Sequence, residues 1–121
     1  MMTLPSAAEE QARVAAYKAE LRQRRAFARK QKPALELELS RRVEKGLLAD
    51  KKLRRTIVDA WTASCSAGIL DYKYARERAE YEVWKEVVRA KRAQIEKDGY
   101  QVKIEDYNEF GMYHLALDIS W

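Results

Sequence analysis

GYQVKIEDYNEFGMYHLALDISW, residues 99–121, changes the period of the chain from that of a helix to that of a strand. Tyr100, Val102 and Ile104 alternate with Gln101, Lys103 and Glu105, and Tyr113, Leu115, Leu117, Ile119 and Trp121 alternate with Met112, His114, Ala116, Asp118 and Ser120. Asn108, Glu109, Phe110 and Gly111 have turn chemistry between them. The pattern predicts a C-terminal β-hairpin. A loop of those residues sets Ile104 opposite Leu115, Val102 opposite Leu117 and Tyr100 opposite Ile119 on one apolar face, with His114 beside Glu105 on the other. Because a lone hairpin is marginal in water, that face must cover a helix or join the hairpins of other copies. The second arrangement makes Leu115, Leu117, Ile119 and Trp121 the contact of a homo-oligomer.

Upstream of Gly99, a stop signal, Tyr74, Tyr81, Trp84, Val88 and Ile95 form a helical stripe that Asp71 can start. Tyr74, Tyr81 and Trp84, with nearby Tyr72, offer either a recognition surface or, as such stripes usually do, a core face. Before it, Leu53, Ile57, Trp61 and Cys65 recur at intervals of four, with Val58 beside them, which predicts a helix capped by Asp50 and ending near Gly68. Leu35, Leu39 and Val43 predict another, closed by Gly46. The first helix is expected over 6–31, opened by a capping box of Ser6 and Glu9 and interrupted at Pro33. The expected fold is therefore α+β and mainly α: three to four helices followed by the hairpin. Residues 1–32 form a basic N-terminal helical arm, and 33–121 form a helical body that ends in the hairpin at 99–121.

Charge is unevenly placed. Residues 1–60 carry 15 Lys and Arg against 8 Asp and Glu, whereas 61–121 carry 9 against 11. An electrostatic partner is thus expected at the front half. Arg22, Arg24, Arg25, Arg29, Lys30 and Lys32 follow one another without an acid, and Phe27 stands among them. Such a run can neutralise phosphates of a nucleic acid while Phe27 stacks on a base, or it can meet an acidic protein surface. The plainer explanation is a solvated helix end whose cations suit the negative pole of the dipole. Lys51, Lys52, Arg54 and Arg55 open the helix expected after Asp50, where positive charge opposes the dipole, and this favours an external anion. A helix-turn-helix centred on Gly46 is rejected, because Lys52 and Arg55 stand where its second helix needs apolar residues.

Other chemistry is sparse. With one cysteine, Cys65, and one histidine, His114, a four-ligand zinc site and an internal disulfide are both excluded within one chain. The same pair as nucleophile and base is formally open, but Cys65 shares the stripe of Ile57 and Trp61 and reads as a buried core residue. The glycines stand singly at element boundaries, so no phosphate-cradling loop exists. We therefore expect no cofactor, no metal and no catalytic role. Neither a membrane-spanning run nor an export signal is present, and a cytoplasmic location is expected.

Asp98, Gly99 and Tyr100, then alternating strands, then Ile119, Ser120 and Trp121 resemble the C-terminal pattern of small uncharacterised bacteriophage proteins, in which a helix leads through Gly-Tyr into a hairpin ending in Trp. The resemblance covers about a fifth of the chain. It implies a phage accessory protein in the host cytoplasm or the virion, either a structural component or an inhibitor that binds a host complex. The expected function is stoichiometric binding to a protein assembly, and the alternative is nucleic-acid binding through the basic front half.

Overall fold

A computed structural model describes residues 4–65 and 74–121. The fold is α+β and mainly helical, with five elements: α1 (Ala7–Ala49), β1 (Arg55–Ser64), α2 (Ala75–Lys97), β2 (Gln101–Glu109) and β3 (Met112–Ser120). There are two helices among the described residues, not three to four, and the hairpin is joined by a third strand. Gly68, Asp71 and Tyr72, expected at helix ends or on the aromatic stripe, lie outside the described residues.

α1 begins as its sequence requires. The Ser6 hydroxyl accepts from the Glu9 amide at 3.1 Å while the Ser6 amide donates to the Glu9 carboxylate at 3.3 Å. It then runs 43 residues, about 65 Å, straight through the expected interruption at Pro33. Pro33 removes one amide donor and leaves the carbonyl of Arg29 without its helical partner. Both residues are exposed, so water reaches that carbonyl. Burial of Ala28, Leu39 and Val43 on either side holds the helix together across the defect. The boundary expected after residue 32 therefore falls inside one continuous helix.

Gly46, expected as a cap, also lies within α1. Its role is close approach: a Cβ here would stand 2.8 Å from the Thr56 Oγ1 and 3.2 Å from the Val58 Cγ2 of β1. Gly46→Ala is expected to lower stability by about 1–2 kcal/mol, although Ala is the better helix former by roughly 1 kcal/mol. Urea unfolding checks this, and a gain in stability would mean that α1 sits farther from the sheet. Asp50, expected to start a helix, instead ends α1 by donating its amide to the Gly46 carbonyl, and its carboxylate accepts from the Thr56 hydroxyl at 2.7 Å.

The helix expected over Leu53 to Cys65 is a strand. Thr56, Ile57, Val58 and Thr62 are β-branched, and Thr56, Val58 and Ala60 alternate inward while Leu53 and Ile57 stand 75% and 59% exposed. The four-residue spacing of Leu53, Ile57 and Trp61 was a coincidence of two strand faces and a bulge. That bulge, between Asp59 and Trp61, turns both Ala60 and Trp61 inward. The Arg42 guanidinium fixes it, donating to the carbonyls of Asp59 at 3.1 Å and Ala60 at 2.8 Å while lying over the Trp84 ring.

The sheet is antiparallel throughout, in the order β1-β3-β2. In the hairpin, Ile104 pairs with Leu117 and Val102 with Ile119, two residues away from the expected register. Phe110 and Gly111 both take positive φ, 52° and 77°, and form a two-residue turn of the primed kind that suits strand twist. Asn108 and Glu109 belong to the strand instead of the loop. A slip of two preserves faces, so the expected apolar set still faces inward.

α1 and α2 lie side by side and parallel, since Arg25 pairs with Glu82 whereas Arg29 and Lys32, farther along, pair with Glu86. That register sets Ala75 beside Lys18, so the first turns of α1 extend past the start of α2. The core lies between the helices and the inner sheet face: Leu39 and Val43 of α1, Val58 and Trp61 of β1, Trp84, Val87 and Val88 of α2, and Val102, Leu115, Leu117 and Ile119 of the hairpin. Trp121 closes one end, its ring edge-on to Tyr100 at 5.8 Å and its amide donating to the Arg54 carbonyl at 3.0 Å.

Candidate anion-binding groove

Parallel packing of two charged helices leaves a seam with two sides, and the sides differ. One side is a groove in two adjoining lobes of about 550 and 520 Å³ that share Arg25 and Arg78. Its cations are Lys18, Arg22, Arg25 and Arg29 from α1 and Arg78, Lys85 and Arg89 from α2, against Glu82 and Glu86 as its acids. Seven charges against two leave an excess of five, equal to the formal net charge of the whole chain. On the other side a smaller apolar groove of about 260 Å³ is bordered by Arg24, Arg76 and Glu80 around Phe27, Ala28, Leu35 and Trp84.

The acids of the basic groove are already engaged. Arg25 donates to both oxygens of Glu82 at 2.7 Å, and Arg78 donates to the same carboxylate at 3.0 Å. The hydrogen bond from Arg25 is the main reason that Glu82 ionises below the usual carboxylate range. Arg29 and Lys32 both reach Glu86 at 3.5 Å. Lys18, Arg22 and Arg89 line the groove as exposed side chains and make no ion pair among the described residues.

Lys85 is anchored from beneath. Its ammonium lies 3.4 Å from Asp106 and donates to the Tyr81 hydroxyl at 3.0 Å. Asp106 in turn accepts from Tyr81 at 2.6 Å and from Tyr113 at 2.7 Å, which ties α2 to both strands of the hairpin. Burial alone would raise the pKa of Asp106, but the two hydroxyls and Lys85 outweigh it and hold the carboxyl below its ordinary value. Burial, followed by the bond to Asp106, raises both tyrosines.

The residues expected to act together are separated. Arg22, Arg25 and Arg29 line the basic groove and Lys32 pairs at its far end, while Arg24 and Phe27 line the opposite side and Lys30 lines neither. Phe27 is exposed, as stacking would require, but it shares its groove with Arg24 and not with Arg22, Arg25 and Arg29. Lys51, Lys52 and Arg54 lie in the turn that follows α1, about 40 Å along the helix from Arg22. Since they follow a helix C-terminus, the dipole favours their charge, and the inference of an external anion drawn from an unfavourable dipole is withdrawn. Arg55 binds Asp118 through two bonds of 3.0 and 2.8 Å on the outer face of the sheet.

Leu115, Leu117 and Ile119 are fully buried in the core of one chain, and Trp121 packs on Tyr100, so the expected oligomer contact is occupied from within. Cys65 is likewise fully buried, with its thiol raised by that burial and then by Glu77 and Glu80, whereas His114 stacks on Tyr107 on the outer sheet face. The two do not meet. The α2 contribution to the groove escaped the sequence reading. Arg78, Lys85 and Arg89 repeat at steps of seven and four, matching Lys18, Arg22, Arg25 and Arg29 on α1, but the apolar stripe of α2 drew attention from its charged one.

No family model matches the chain, and no curated protein or solved structure matches it. Among the described residues no helix is long and apolar enough to cross a membrane.

Proposed function

We propose that the protein acts without catalysis, by stoichiometric attachment to an acidic segment of a partner protein that lies along the α1–α2 groove. The observation that carries this reading is the excess of five positive charges lining one groove whose own acids are already paired. Arg25, Arg29 and Arg78 are held in place by Glu82 and Glu86, so their remaining N–H groups are pre-oriented toward a carboxylate and little rotamer entropy is lost on binding. Leu21 and Val83 on the floor add an apolar strip suited to an amphipathic acidic helix. The resemblance of the C-terminal hairpin to phage proteins supports an accessory role against a host or virion assembly.

Nucleic acid is the second reading, because the same excess attracts phosphates. It is less favoured because Tyr81 is buried and Phe27 lies on the far side, which leaves the half-buried Tyr17 as the single ring lining the groove where successive bases need several stacking partners.

Fluorescence anisotropy with a labelled Glu-rich helical peptide, and separately with single-stranded and duplex DNA, tests both. The peptide is expected to bind, and exchanging the unpaired Lys18, Arg22 and Arg89 together for Gln should weaken it about 10- to 100-fold without loss of folding. Binding that ignores the triple substitution would discard the groove. DNA binding that is lost in the variant, with no peptide binding, would install the second reading.

A further inference from the structure

The sheet has two edges, and they are not equivalent. At β1 the bulge and the Arg42 guanidinium occupy the strand carbonyls of Asp59 and Ala60, which closes that edge to a further strand. β2 pairs with β3 on one side, and among the described elements it otherwise touches only α2, which covers its inner face. Among the described residues its nine positions therefore present an open ladder.

The outer face of the sheet carries a row of alternating sign that stops at this edge. Arg55 of β1 binds Asp118 of β3, and Asp118 stands in register with Lys103 of β2 and is held ionised in part by it. Two residues on is Glu105. We infer that a second copy of this chain pairs antiparallel with β2 along this edge, with Lys103 of each copy facing Glu105 of the other and Ile104 on the twofold axis.

The register is selected by charge. Residues directly opposite in an antiparallel pair share a face, and keeping the helices of both copies on one side of the sheet restricts the slip to steps of two. One step in one direction sets Lys103 against Lys103, and one step in the other sets Glu105 against Glu105. The register centred on Ile104 places opposite charges across the axis twice and continues the row from Arg55 through Asp118 and Lys103 to Glu105 of the second copy, whereas the one centred on Asp106, which pairs Lys103 with Glu109, sets Asp106 against Asp106. The product is a continuous six-stranded sheet with the four helices on one face. Ile104, half-buried in one chain, becomes covered.

Light scattering across micromolar concentrations is expected to show a dimer. Lys103→Glu sets like charges opposite each other twice and should weaken association about tenfold or more, while Lys103→Glu with Glu105→Lys restores the pairing. Both variants place a carboxylate at position 103 beside Asp118 within one chain. Glu105→Lys alone, which removes a charge that favours Arg55 and also sets like charges opposite each other twice, should weaken association as Lys103→Glu does, so that recovery in the double variant reports the contact between copies. In the unmodified protein, β2 amides should exchange more slowly at high concentration than at low, a readout that depends on no variant folding. A monomer with concentration-independent exchange, a dimer indifferent to Lys103→Glu, or a double variant that fails to regain the dimer would each overturn the inference.

Discussion

Leu117→Asp should leave no folded protein at room temperature, whereas Ile57→Asp should leave a folded protein at a cost of about 1 kcal/mol, from Asp118 opposite it and from the low strand propensity of Asp. Leu117 lies in the middle strand, paired with Val58 on one side and Ile104 on the other, and is fully buried. Losing its side chain costs about 3–5 kcal/mol, and a buried carboxylate without a partner costs several more. The sum is comparable with the total stability of a domain this size, about 5–15 kcal/mol. Ile57 points away from the helices and is 59% exposed. A helical segment from Asp50 to Cys65 would reverse the second result, because Ile57 would then lie at the centre of an apolar stripe. Circular dichroism of the two variants decides: a folded Leu117→Asp protein or an unfolded Ile57→Asp protein would refute the strand assignment.

Asp106→Ala should cost about 2–3 kcal/mol, a fall of roughly 8–12 °C in Tm, because it strands the hydroxyls of Tyr81 and Tyr113 and removes the counter-charge of Lys85. The carboxylate is 23% exposed, and water moderates the loss. The same cluster bounds stability in pH from both sides. Asp106 ionises more readily folded than unfolded, so its contribution is complete above the ordinary carboxylate value near 4 and disappears as pH falls through the lower folded value. Tyr81 and Tyr113 ionise less readily when folded, so their contribution is complete below the ordinary phenol value near 10 and disappears as pH rises through the higher folded values. Unfolding midpoints measured from pH 2 to 11 should decline at both ends, and Asp106→Asn should flatten the acid decline. An acid limb of equal steepness in Asp106→Asn would assign it to Glu82 or Asp118, the other carboxylates held low by arginine.

Elements with one consistent signal were legible in the sequence. The Ser6–Glu9 capping box, the stripe from Tyr81 to Ile95, the stop at Gly99 and the inward set of the hairpin each follow from local rules, and the structure contains them. Where two rules competed, the outcome depended on tertiary contact. Pro33 breaks helices in isolation, yet packing on α2 carries α1 through it. Residues 53–65 fit a helical period of four and a strand period of two at once, and β-branching together with an available partner in β3 decided for the strand. For the groove, the α1 cations were visible as a run, but their neighbours came from α2, whose placement parallel to α1 no local pattern encodes. Phe27 was grouped with the arginines by adjacency in sequence, and helical periodicity put it on the other side of the seam.

The middle position in the sheet belongs to the last of the five elements, and this orders events on the ribosome. β1 has no strand to pair with when it emerges, since its neighbour β3 follows about 50 residues later and β2 has no contact with β1. At a synthesis rate of about 5–20 residues per second, Thr56, Val58 and Trp61 wait for about 3–10 s before the sheet can close over them. α1 and α2 can associate in that interval through Arg25, Glu82 and the residues beneath, which makes the helix pair the early folding unit and β3 the strand that completes the domain. Nascent chains stalled just before Met112 should therefore be the form most prone to capture by chaperones that recognise exposed apolar strands.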